Sequence, residues 1–119
     1  MSDLREAWRT YGGSIVDRQL PTVDPVLIYA KSTVHRIAVQ EIAFSPSAYV
    51  ASVLSFLDSR TGESIGSLSV PAVRPDRDGT FTLWLGDAGT KLSAGANLIL
   101  ATTNGAAGRL NIAAFQRGR

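Results

Sequence analysis

From Val26 onward apolar positions recur in short runs with a period of two, as they do in strands whose side chains point alternately to two faces. Residues 26–30 (VLIYA) are the first such run. In 34–44 (VHRIAVQEIAF) strict alternation puts His35, Ile37 and Val39 on one face and Ile42 and Phe44 on the other. That change of phase around Gln40 and Glu41 predicts a bulge or a bend. A Ser-Pro-Ser turn (45–47) leads into 48–57 (AYVASVLSFL), apolar on both faces, with Tyr49, Ala51, Val53 and Leu57 opposite Val50, Leu54 and Phe56. Such a strand is expected in the middle of something, either between layers or at a subunit contact.

Residues 58–64 (DSRTGES) read as a hairpin loop, with Gly62 available for a positive φ. The chain returns in 65–70 (IGSLSV), and Pro71 ends that ladder. After a proline-bearing loop, 80–85 (TFTLWL) alternates cleanly, with Phe81, Leu83 and Leu85 inward and Thr80, Thr82 and Trp84 on the other face. A further loop precedes 97–103 (NLILATT) and 109–115 (RLNIAAF). Six or seven strands at roughly ten-residue spacing, joined by Gly, Pro and Ser loops, predict an all-β antiparallel sandwich or barrel. The expectation is a β-sandwich of jelly-roll-like type over 26–116. Nothing after residue 12 has a convincing helical period, which argues against βαβ units and a nucleotide-binding α/β sheet.

The first 25 residues differ in character. Leu4, Ala7, Trp8 and Tyr11 fall at i, i+3, i+4 and i+7, one helical stripe. Asp3 with Glu6 has the spacing of a capping box, and Gly12-Gly13 is a stop. A helix of two to three turns does not persist alone in water, so Trp8 and Tyr11 need a surface to lie on. Pro21 and Pro25 favour an extended path after it. Residues 1–25 thus read as a helix and arm that pack on their own domain or on a neighbouring subunit, and 117–119 as a basic tail.

Composition narrows the chemistry. At 119 residues the chain suits one domain with one modest core. The lack of cysteine excludes disulfides and thiolate metal sites. The charged opening MSDLREAWRT lacks the apolar run of a signal peptide, and no stretch is long enough to span a bilayer, so no membrane partner is expected. Net charge is +2, and the basic residues scatter among acids and loops instead of clustering with aromatics, so no nucleic-acid partner is expected either.

Candidate sites are few. The glycines of 103–108 (TNGAAG) have no GK[ST] and no helix behind them to hold a phosphate, and Asn104-Gly105 is a strong turn signal. Residues 76–79 (DRDG) begin like a calcium loop but lack the later oxygen ligands, with Leu85 where a glutamate is required. His35 is the only histidine, so metal sites built from several imidazoles are excluded and no metal or cofactor is expected. A Ser–His–Asp arrangement is arithmetically open, but no G-x-S-x-G elbow exists, and His35 reads first as a half-buried strand residue. No carboxylate pair stands out for acid–base work. What remains is surface. Trp84 on the non-core face of its strand, Tyr49, and Leu4, Trp8 and Tyr11 on the arm are the candidate partner-contacting residues.

The order VHRIAVQEIAFSPSAYVASVLSFLDS, then GESIGSLSVPA, then TFTLWLGDAGTKLSAGANLILATTNGAAGRLNIAAF resembles the small β-sandwich accessory proteins of tailed-phage particles. Residues 90–101 (TKLSAGANLILA) match the Ala-Gly turn that opens the penultimate strand in those proteins, and Asn97 stands near a frequently acidic position. The likeness covers about residues 33–116. It implies a non-enzymatic virion component assembled in the host cytoplasm, a head-decoration (cement) protein or a head–tail module. It also implies contacts to the major capsid or other virion proteins and a homo-oligomer, commonly a trimer, with arms reaching to neighbours. No residue-level site carries over. Two rival expectations are a tail- or fibre-associated module that recognises a carbohydrate or receptor, and an enzyme built on His35.

Overall fold

The computed structural model describes residues 14–75, 79–102 and 104–118. The described chain is all-β: β1 (Ser14–Leu20), β2 (Val26–Ile28), β3 (His35–Pro46), β4 (Ser52–Asp58), β5 (Ser64–Val70), β6 (Phe81–Trp84), the two-residue β7 (Thr90–Lys91), β8 (Leu98–Thr102) and β9 (Gly108–Gly118). They form two antiparallel sheets. The first has the order β1-β9-β3-β6, with β7 also on β3, and the second has the order β2-β8-β4-β5. Side chains from both sheets meet in one apolar cluster, an arrangement consistent with a β-sandwich.

The pairings are nested. β1 lies on β9, β2 on β8, β3 on β6 and β7, and β4 on β5. The chain is therefore one long antiparallel ribbon, its first half running out and its second half running back, rolled between the two sheets. Rolling adds the contacts β3·β9 and β4·β8.

Period-two patterning explains the layers. On β3 and β9 the inward pairs are Phe44 with Leu110, Ile42 with Ile112 and Val39 with Ala114. On the second sheet Leu54 faces Leu68 and Phe56 faces Leu100. Phe44, Phe56, Ile42, Leu54, Leu110 and Ile112 are fully buried, each contributing roughly 1.5–3 kcal/mol relative to exposure. A bulge does sit in β3, between Val39 and Glu41. The extra residue, Gln40, absorbs the phase change, so Ile37 and Val39 share the core face with Ile42 and Phe44 instead of facing away from them. Gln40 is wholly buried. Its carbonyl accepts from Leu85 N–H at 2.8 Å, and its amide Nε2 donates to Asp87 O at 2.7 Å.

Two expectations need revision. Residues 14–20, read as part of an extended arm, are a strand. Val16 and Leu20 pack toward the core while β1 forms the edge of the first sheet beside β9. An extended path toward Pro21 is equally a strand's path, and the charges of Asp17 and Arg18 are what an edge tolerates. The predicted helix carrying Leu4, Trp8 and Tyr11 lies outside the described residues, as do the acidic loop at 76–78 and Arg119.

The Asn104-Gly105 turn does not return β8 onto itself. β8 and β9 belong to different sheets, and the turn carries the chain across the core. It is tied to the β3–β4 connection by Ser47 N–H on Ala107 O (2.9 Å) and by the Asn104 amide on Ala51 O, with Ala106 buried beneath. Gly108 opens β9 with φ +148° against the Ser45–Pro46 backbone and the Phe44 ring, where a side chain has no room.

Charge divides between the sheets. The first carries Asp17, Arg18, Arg36, Glu41, Lys91, Arg109 and Arg117 on its strands. The strands of the second hold a single charged residue, Asp58, and that one is buried.

Candidate interaction surfaces

Trp84 ends β6, the outer strand of the first sheet. Phe81, Leu83 and Leu85 turn inward onto the core, so alternation sends Trp84 outward, where half of its surface is exposed (50%). Its register partner across the ladder is Glu41, and Thr82 stands opposite Ala43. An indole with a carboxylate beside it offers a flat apolar face and a hydrogen-bond acceptor together. Tyr49 is placed differently. It packs partly buried against the core, its hydroxyl filling the space at Gly79, and so props the β5–β6 connection instead of standing free. Leu4, Trp8 and Tyr11 lie outside the described residues.

His35 opens β3 at a half-buried position. Its Nδ1 lies 2.6 Å from Ser32 Oγ, and its main-chain N–H donates to Ser32 O at 3.3 Å. The same hydroxyl accepts from Val34 N–H at 3.3 Å. A serine hydroxyl on an imidazole is half of a nucleophile–base pair. Here it belongs to a four-residue turn (32–35), and among the described residues no carboxylate hydrogen-bonds to the ring to orient it. The arrangement caps the entry to β3. Gly95 N–H donates to His35 O at 2.8 Å and fastens the β7–β8 connection there.

Asp58 is the polar centre of that end of the molecule. Its Oδ1 accepts from Arg60 N–H (2.8 Å) and Thr61 N–H (3.2 Å), and its Oδ2 from the Ser93 N–H and hydroxyl, both at 2.8 Å. Burial acts to raise its pKa, but the accepted hydrogen bonds from Ser93, Arg60 and Thr61 outweigh it and hold the carboxyl below its ordinary value. The carboxylate thus ties the β4–β5 hairpin to the β7–β8 connection. Ser59 and Asn97 repeat the link, Ser59 N–H donating to Asn97 O (3.0 Å) and Asn97 N–H to Ser59 Oγ (2.8 Å). The sequence signal was present, since Asp followed by Ser-Arg-Thr-Gly is an Asx-turn pattern. On the surface, the Tyr29 hydroxyl donates to Asp24 Oδ2 at 2.6 Å, which lowers the carboxyl pKa and raises that of the phenol.

Two shallow clefts are open to solvent. One, of about 210 Å³, lies between the β1–β2 and β8–β9 connections and is lined by Leu20, Pro21, Pro25, Leu100 and Ala106 among others. The other, of about 220 Å³, lies on the outer side of the first sheet, where Arg36, Lys91 and Arg117 surround Ala38 and Phe115. Phe115 has the opposite parity to Leu110, Ile112 and Ala114 yet is only 4% exposed. The unbroken apolar run Ala113-Ala114-Phe115 was its sequence signal. Among the described residues no group of three His, Cys, Asp or Glu side chains comes together as a metal site. Compared with known proteins, the sequence matches no family model and no curated protein.

Proposed function

We propose that this protein is a non-enzymatic structural component of a phage or phage-like particle, a head-decoration (cement) protein that binds shell subunits as an oligomer. The observation that carries the reading is the strand order. Two layers, one ordered β1-β9-β3-β6 with β7 also on β3 and the other β2-β8-β4-β5, wound from one nested ribbon, follow the jelly-roll scheme, a scaffold used for shell building and for lectins. The resemblance of residues 33–116 to phage accessory proteins points the same way, and the exposed Trp84 gives the surface an anchor of the residue type that dominates binding energy at interfaces. Decoration works through contact area. A protein bound across adjoining shell subunits stabilises the assembled state by mass action, with no bond made or broken.

The test is cosedimentation of the purified protein with shells assembled from the capsid protein of the particle that encodes it. Retention on shells, weakened at least tenfold by Trp84→Ala, is the expected result. Because Trp84 is half exposed, that variant should unfold within about 1 kcal/mol of the parent, so lost binding is not lost folding. Absence from purified particles together with no retention on any shell or tail protein contradicts the proposal.

One observation favours a second reading, a tail- or fibre-associated module for a carbohydrate or receptor. Trp84 beside Glu41 pairs a stacking surface with an acceptor, the chemistry a sugar ring uses. Glycan-array binding lost in Trp84→Ala would support it.

A further inference from the structure

We propose that the outer face of the second sheet is where two copies of this chain pack against each other about a two-fold axis. An antiparallel sheet with one wet face ordinarily alternates apolar inside with charged and polar outside. This one does not. Register puts Val26, Ile99 and Leu57 in one row across β2, β8 and β4, on the side away from the core. Val53 lies further along β4 on the same face, and Ser67 and Ser69 continue it onto β5. The only charge on these four strands, Asp58, points inward.

Neutrality selects the occupant. In a two-fold contact each residue meets the same surface it belongs to, so a charged face repels its own copy. The outer side of the first sheet, with Arg36, Glu41, Lys91 and Arg109, would meet that penalty or need a complementary partner. The aliphatic and hydroxyl face of the second sheet needs neither, and charge depletion is the compositional mark of interface centres. Serine hydroxyls there bond to water in the single copy and to one another in the pair.

Strands of three, five, seven and seven residues, about 4.8 Å apart, make a patch on the order of 350 Å² per copy, against about 800 Å² for a standard interface. The pair is therefore reversible and concentration-dependent. This contact concerns copy number alone and stands whether or not the protein binds a shell. It gives an even-numbered assembly, where the family likeness implies a trimer.

Sedimentation velocity on the full chain between about 1 and about 200 μM tests it. The mass should rise from 12.7 kDa toward twice that value. Leu57→Lys, and separately the solvent-side Ser67→Glu, should each hold it at the single-copy mass across the range. Thr82→Lys, on the outer side of the first sheet, should leave the rise unchanged. Circular dichroism melts identify any variant that fails to fold, and Ser67→Glu, at an exposed position, keeps the test open if Leu57→Lys does. A chain that stays single at every concentration, a three-copy species, a pair that survives Ser67→Glu, or a pair lost in Thr82→Lys would each overturn the proposal.

Discussion

At the scale of single residues, the polar groups do structural work that strand patterning does not reveal. Asp58 illustrates it. Its carboxylate is 5% exposed and receives four hydrogen bonds from two connections distant in sequence. Asp58→Asn keeps the shape but loses the charge and forces a donor amide toward N–H groups, so at pH 7 it should destabilise the fold by about 1–3 kcal/mol. The pH dependence follows from the lowered folded pKa. The unfolded carboxyl titrates near 3.9, so Asp58's stabilisation is whole above that value and is lost as pH falls through the lower folded one. The gap in urea-unfolding free energy between parent and Asp58→Asn should therefore be largest at neutral pH and shrink below about pH 4. A gap that stays constant to pH 2 would show that the carboxylate's charge is not what matters. Trp84 is the contrasting case, since simple alternation in 80–85 predicts its outward position and the structure places it there. Tyr49 could not be read that way, because its contact with Gly79 comes from a connection thirty residues away.

At the scale of elements, period-two runs located β3, β4, β5, β6, β8 and β9, because each buries one face over several residues. β1 was hidden because an edge strand buries only part of one face, and its remaining positions (Asp17, Arg18 and Gln19) look like loop. β7, at two residues, is too short to show any period. The bulge was legible. A phase change in one otherwise continuous apolar strand has few physical solutions, and a single inserted residue is the least disruptive. Removing Gln40 should be far worse than losing one buried amide, since it would turn either Ile37 and Val39 or Ile42 and Phe44 out of the core. The deletion variant should lose its cooperative urea transition and near-ultraviolet circular dichroism and bind a hydrophobic dye. A sharp transition close to that of the parent would mean that β3 slips without cost. The Asn104-Gly105 turn marks the limit of local reading. Turn chemistry sets how the chain reverses, whereas the choice of sheet is made by the eleven residues of β9, which bury Leu110, Ile112 and Ala114 between β1 and β3.

At the scale of the whole molecule, the sequence announced an antiparallel β protein but not its winding, because pairing β1 with β9 or β2 with β8 joins residues seventy or more positions apart and no local signal encodes it. Once wound, the ribbon leaves two unlike outer faces, one charged and one neutral, and an exposed tryptophan at the end of an outer strand. Those surfaces are what the functional reading uses: contact area in place of a reaction. The mechanism is most directly tested by the temperature at which shells come apart, measured by calorimetry as the purified protein is added. The account predicts a midpoint that climbs with bound protein, levels off once the sites are filled, and climbs less when Trp84→Ala is added at the same concentration. A midpoint that stays put while the protein is demonstrably bound would contradict it.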